Sequence, residues 1–260
     1  MNRLLVITGP TGTSKTNLAI TLAKDTGAAL LPLDQLHRYQ HLVDGTGLDL
    51  KALAQVDHFG YQTLSPWVVS GPGPYMAWLL PQVRHLLSDR PLILEGGCTS
   101  YLQALLSHKR HPVFREIRFV ALMPDDNRES NTQQVSLRVS QTKFLSIVSE
   151  TEELVRAGFI KPSGLPLLTE CEMLWKHPEH TDSNLAWAIR ISAKIYLPAY
   201  LALLGRLSPE EARAKTIENV IQIQEYQRDR IRSLLPLSCF VPQSAVGTSI
   251  ESLSSYLVTS

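Results

Sequence analysis

The sequence predicts an α/β protein in which helices flank a parallel sheet and the C-terminal half is mostly helical. Three observations predict it. The apolar run Leu4-Leu5-Val6-Ile7 leads into a glycine-rich octapeptide, Gly9 to Thr16, which is followed by the helix-like stretch Asn17 to Lys24. Further short apolar runs at 28–33, 91–94 and 117–122 recur with helical stretches between them, the alternation expected of parallel strands joined by crossover helices. Beyond about residue 125 the apolar positions recur at helical spacing as far as residue 236.

The octapeptide Gly-Pro-Thr-Gly-Thr-Ser-Lys-Thr fits the P-loop pattern except that Ser14 stands where the second glycine is usual, so the sheet is read as P-loop NTPase-like. The loop of Gly9, Pro10, Thr11, Gly12, Thr13 and Ser14 would present its backbone N–H groups, of which Pro10 has none, at a helix N-terminus, a cradle for an anion. Lys15 adds a positive charge, and the Thr16 hydroxyl is a ligand for Mg²⁺. Ser14 brings a Cβ into the cradle, a strain if the position needs a positive φ.

Asp25-Thr26-Gly27 stops the first helix, and Ala28 to Leu33 reads as a second buried strand ending at Asp34. Ligands of open α/β sheets bind outside the carboxyl ends of the strands, which makes Asp34 a candidate for chemistry. Asp44-Gly45-Thr46-Gly47 reads as a tight loop and also fits a plain surface turn. Ser70 to Pro74 marks a break before a helix over Tyr75–Leu87 with a kink at Pro81. Pro91 to Leu94 is a third strand ending in Glu95-Gly96-Gly97, with a helix from Ser100 to Leu106, and Ile117 to Leu122 is a fourth strand. Val135, Leu137, Phe144, Leu145, Ile147 and Val148 mark helix, closed by Gly158. A helical stretch from Asn184 to Leu204 is interrupted at Pro198, and Ser208-Pro209-Glu210-Glu211 caps a long helix to Leu234. Leu237 to Val241 is a late strand, and the tail after Gln243 is either a loose end or a short helix docked through Ile250, Leu253, Tyr256 and Leu257. One domain over residues 1–260 is expected, with a sheet core at about 1–125, a helical part at about 126–236 and the late strand and tail at 237–260.

A formal net charge of +1 gives no broad attraction to nucleic acid or membrane. Cys98, Cys171 and Cys239 have neither zinc nor disulfide spacing, which points to a reduced, cytoplasmic setting. No run reaches the ~18 apolar residues of a membrane span. His37, His41, His58, His85 and His108 show no metal spacing and read as structural or exposed.

The phosphate loop, Leu33-Asp34-Gln35 with Tyr39, Asp44-Gly45-Thr46-Gly47 and Leu92-Ile93-Leu94-Glu95-Gly96-Gly97 together resemble the isopentenyltransferases that prenylate the N6 amine of adenine. The resemblance extends through Asp182-Ser183-Asn184-Leu185-Ala186-Trp187-Ala188-Ile189-Arg190 and Glu225-Tyr226-Gln227-Arg228. Of the two branches of that family, one acting on AMP or related nucleotides and one on an anticodon-loop adenosine of tRNA, it looks most like the short bacterial adenylate enzymes of cytokinin synthesis. The resemblance implies dimethylallyl transfer from its diphosphate to AMP, ADP or ATP, with Mg²⁺, no nucleic-acid or membrane partner, and a monomer or weak homo-oligomer. Short length and near-neutral charge favour that branch over the tRNA enzymes.

An exocyclic adenine amine is a poor nucleophile, so a carboxylate must take its proton as it attacks. The resemblance gives that role to Asp34 and implies that Lys15 and Arg138 stabilise the departing diphosphate. Thr46 would contact adenine or hold Asp34, and Asp182, Tyr226 and Arg228 would serve substrate binding. Each role has a second reading. Asp34 suits a helix cap, Arg138 a solvated surface arginine, and Glu95 either orders a metal-bound water or orients the Gly96-Gly97 turn. Lys143 and Arg230 are further candidates for the diphosphate. Asp229 replaces a histidine that some adenylate enzymes use toward a hydroxylated donor, which leaves the donor open. Outside the resemblance, the same loop fits a small-molecule kinase or a P-loop binding protein without turnover.

Overall fold

The computed structural model describes residues 3–124, 128–161 and 185–258, with the backbone alone for 128–131. Five parallel strands, β1 (Leu4–Thr8), β2 (Ala29–Pro32), β3 (Leu92–Glu95), β4 (Ile117–Met123) and β5 (Phe240–Pro242), form one sheet in the order β2-β3-β1-β4-β5. The register aligns Leu4 with Leu92 on one side and with Ile117 on the other. Leu4 and Val6 of β1 point into one core, packed against α3 (Pro72–Leu86) and α4 (Thr99–Ser107). Leu5 and Ile7 point into a second core, packed on α1 (Lys15–Thr26). A strand buried on both faces reads as a continuous apolar run, which is why these strands stand out in the sequence.

The helical half, α5 (Arg128–Arg138), α6 (Gln141–Arg156), α7 (Trp187–Ile191), α8 (Ala193–Leu203) and α9 (Pro209–Leu234), shares a third core. Phe144, Ile147 and Leu154 face inward on α6, whereas Leu137 and Leu145, read with them as one apolar stripe, face solvent. Ser208 and Glu211 close a reciprocal capping box at the start of α9, as the Ser-Pro-Glu-Glu sequence predicts.

Three expectations are corrected. The break at 70–74 is a helix start: Gly71 is the N-cap and Pro72 occupies the first turn of α3, where a missing N–H costs nothing. The interruption falls at Ser192, and Pro198 lies inside α8. A proline deprives the carbonyl four residues earlier of its donor, and here Asn219 Nδ2 on α9 donates to the Lys194 carbonyl at 2.7 Å instead. The tail is the docked alternative, α10 (Val246–Val258), whose Leu253 and Leu257 are buried in the core beside α1. A short α2 (Leu50–Leu53), capped by the Asp49 side chain, appears in a stretch with no clear period. No helix among the described residues is long and apolar enough to cross a membrane.

Candidate active site

The strand order places Asp34, just beyond β2, and the phosphate loop beyond β1 on either side of Glu95, the last residue of β3. All three line one cavity of about 570 Å³. Its sheet side carries Thr11, Gly12, Ser14, Lys15, Thr16, Asp34, His37 and Glu95, and its helical side carries Arg138, Val139, Lys143, Ile147, Ile191, Lys194, Ile195, Val220, Ile223 and Tyr226. The cavity therefore joins a phosphate cradle to a wall of aliphatic side chains.

Within the loop, the chain turns so tightly at Gly9 that a Cβ would collide with the Leu122 carbonyl. Thr13 Oγ1 donates to the Pro10 carbonyl at 2.9 Å, and Gly9, Pro10 and Thr13 lie outside the cavity lining. Ser14 adopts φ 55° and ψ 27°, the left-handed conformation that glycine takes without steric cost. Lys15 Nζ donates to the same Pro10 carbonyl at 2.7 Å. Burial pulls its ammonium down to about 8, an effect that the nearby Glu95 and Asp34 carboxylates oppose and Arg138 reinforces.

Thr16 Oγ1 donates to Glu95 Oε1 at 2.9 Å. Glu95 is buried, and its second carboxylate oxygen is without a hydrogen-bond partner. The Tyr61 hydroxyl, also buried without a partner, lies near this carboxylate, and burial followed by that negative charge pushes its phenol well above the ordinary value. Asp34 Oδ1 accepts the Leu36 backbone N–H at 2.9 Å, an Asx-type bond two residues on that leads into the 3₁₀ turn Leu36–Arg38, whose N-cap is Gln35, while Asp34 also lines the cavity.

Arg138 reaches from the end of α5 to the phosphate loop: one guanidinium nitrogen donates to Thr11 Oγ1 at 2.5 Å and the other to the Thr46 carbonyl at 3.1 Å. Gly47, at φ 71°, leaves room for that side chain, and a Cβ there would collide with the guanidinium. Burial lowers the pKa of Arg138, and Asp34 opposes that shift. The surface-arginine reading is thereby excluded. Thr46 does not hold Asp34; its hydroxyl faces the Leu42 and Val43 carbonyls inside its own turn.

Tyr226 lines the cavity, whereas Arg228 turns to Asp229 at 3.1 Å and Arg230 to Gln103 at 2.7 Å, both away from it. Lys143 lines the cavity while paired with Asp44. Asp182 and Cys171 lie outside the described residues. Sequence reading missed Gln224 and Gln227, which grip Thr11 from α9: Gln227 Oε1 accepts its N–H at 2.7 Å and Gln224 Nε2 donates to its carbonyl at 2.9 Å. It also missed His37 and Lys194 in the cavity wall. Among the described residues no group of three or more His, Cys, Asp or Glu is arranged to hold a metal.

The family model for isopentenyl transferase matches residues 2–182, a stretch that holds the phosphate loop, Asp34, Glu95 and Arg138. The chain belongs to the isopentenyl transferase family. The adenylate dimethylallyltransferase of Ralstonia solanacearum is 26% identical over 179 residues, 68% of each chain. The tRNA dimethylallyltransferase of Desulfosudis oleivorans is 31% identical over 134 residues, 50% of this chain and 41% of that one. Further tRNA dimethylallyltransferases match as well, and the chain spans less than half the length of each of these tRNA enzymes. A solved structure, the tRNA delta(2)-isopentenylpyrophosphate transferase of Staphylococcus epidermidis, shares the fold with a TM-score of 0.75 at 15% identity over 98% of both chains.

The family expectation holds, and its narrowing to the adenylate branch does not. Enzymes named for tRNA recur among the relatives and the solved structures, which overturns both the expected free-nucleotide acceptor and the expected lack of a nucleic-acid partner. The length argument fails because a solved tRNA-named enzyme matches this chain from end to end. The charge argument fails because net charge says nothing of placement: Lys15, Arg138, Lys143 and Lys194 all border one cavity.

Proposed function

We propose that this isopentenyl transferase moves a dimethylallyl group from dimethylallyl diphosphate to N6 of an adenine in tRNA. The observation that carries the reading is the single cavity in which a phosphate loop, a strand-end carboxylate and an aliphatic wall meet. The tRNA-named relatives support the acceptor.

In this reading the phosphate loop, Lys15 and Arg138 hold the diphosphate, and the prenyl tail lies against the aliphatic wall. The N6–carbon bond forms as the carbon–oxygen bond to diphosphate breaks. Asp34 takes the amine proton, and diphosphate leaves with the electron pair of the broken bond. Buried Lys15 and half-buried Arg138 would meet the charge that accumulates on the leaving group. Thr16 and Glu95 make an oxygen set suited to Mg²⁺, and the unpartnered buried oxygen of Glu95 is what such a set would leave free. Bound there, Mg²⁺ would neutralise diphosphate charge.

The test is mass spectrometry after incubation with dimethylallyl diphosphate, Mg²⁺ and either unmodified tRNA or AMP. A prenylated adenosine in the tRNA digest is expected. Prenylation of AMP with none in tRNA would reject the proposed acceptor.

A further inference from the structure

The turn at 43–47 is anchored by a buried polar pair to which no role has been given. Glu150 lies on the inward stripe of α6, one helical step beyond Ile147. Its Oε1 accepts the Val43 N–H at 3.1 Å and the Tyr196 hydroxyl at 2.5 Å, and its Oε2 accepts the Asp44 N–H. Burying a carboxylate is costly unless donors satisfy it, and here two of the three donors are consecutive amides of one turn. The ring of Tyr196 lies directly against Gly45, where a Cβ would come within 2.5 Å of it. At the far end of the same turn, the Thr46 carbonyl and the gap at Gly47 seat Arg138, whose other nitrogen meets Thr11.

We propose that Glu150, together with Tyr196, is a positioning residue for diphosphate: it fixes the 43–47 turn, and the turn fixes Arg138 against the phosphate loop. The proposal rests on the reading of this loop as a diphosphate site and is independent of the acceptor. Glu150 does not touch the ligand and acts through Arg138.

Isothermal titration with inorganic diphosphate and Mg²⁺ tests it on the wild type, Glu150→Gln, Tyr196→Phe, Arg138→Gln and the Glu150→Gln/Arg138→Gln double variant. In Glu150→Gln an amide nitrogen faces a backbone N–H, so one anchor of the turn is lost. Glu150→Gln and Tyr196→Phe are each expected to weaken diphosphate binding by roughly tenfold, about the worth of one charge-assisted hydrogen bond. The double variant is expected to bind no more weakly than Arg138→Gln alone, because residues that act in series are not additive. Unchanged affinity in the single variants, or losses that add in full, would overturn the proposal. A structural role alone would lower the melting temperature without this coupling. Where Glu150→Gln does not fold, Tyr196→Phe with Arg138→Gln runs the same cycle. A wild type that does not bind diphosphate rejects the site reading itself, and this proposal with it.

Discussion

Asp34 holds a local turn through the Leu36 N–H and is the proposed base, and Asp34→Asn separates the two roles because the asparagine carbonyl accepts the same turn bond. The variant is expected to keep its melting temperature and diphosphate affinity while turnover falls by on the order of 10² to 10⁴, the usual worth of a general base. Near-normal turnover would remove Asp34 from proton transfer. Ser14→Gly tests the strain at φ 55°. Relief of a left-handed side chain is offset in part by the freedom glycine adds to the unfolded chain, so stability should rise by about 0 to 1 kcal/mol with turnover retained. A loss of activity beyond about tenfold would give the Ser14 side chain a role of its own. Lys15 carries a pH signature. Burial brings it to about 8 from 10.5, so between those values the unfolded chain holds a proton that the native chain has released. The Lys15 contribution to stability therefore rises with pH through that window and is constant below it. Binding of diphosphate favours the charged form, so the increase in melting temperature that diphosphate produces should shrink from about pH 7 to about pH 9.5 and do so less in Lys15→Met. An increase that is independent of pH in the wild type would mean that Lys15 keeps its proton throughout or does not meet the ligand.

At the scale of elements, the strands and the turns that stop them were legible because their causes are local: both-face burial makes β1, β2, β3 and the Val120–Met123 end of β4 apolar runs, and Gly27 and the Ser208 box act within a few residues. The grip of α9 on the phosphate loop was not legible. Gln224 and Gln227 meet Thr11 across more than 200 residues, and an uncharged amide on a long polar helix carries no local sign of its partner. Glu150 left one trace, its place on the Phe144–Ile147–Leu154 buried stripe, where a glutamate is out of keeping. The α9 grip is itself testable. Gln227 accepts the Thr11 N–H and donates to the Gly97 carbonyl at 3.0 Å, tying both strand-end loops to one helix. Gln227→Leu leaves both groups unpaired, and a loss of about 1 to 3 kcal/mol in stability is expected by chemical denaturation, with diphosphate binding weakened as well. Wild-type stability and affinity together would show that water replaces the amide without cost.

For the whole molecule, the decisive quantity is where charge sits. A net charge of +1 gives RNA no general attraction, so the proposed RNA acceptor would depend on locally placed cations, such as those bordering the cavity, and on contacts with the base itself. Among the described residues the cations bordering the cavity are Lys15, Arg138, Lys143 and Lys194; the first two are proposed to hold diphosphate, Lys143 is paired with Asp44 and Lys194 is hydrogen-bonded to Gln222. That leaves about one or two phosphate contacts for the RNA at the cavity, and each displaces about 0.7 counterion on a single strand. The logarithm of tRNA affinity should accordingly fall against the logarithm of salt with a slope of about −0.7 to −1.4, a loss of roughly three- to sevenfold between about 50 and 200 mM. Proteins that make many phosphate contacts lose ~10³ or more over the same interval. Fluorescence anisotropy with labelled unmodified tRNA across a salt series gives the slope directly. A slope steeper than about −5 would mean that phosphate contacts extend well beyond the cavity and would reject the few-contact reading. Replacing the target adenosine with another base should abolish prenyl transfer at every salt concentration while leaving the slope unchanged, since the slope counts phosphates and the reaction needs the N6 amine.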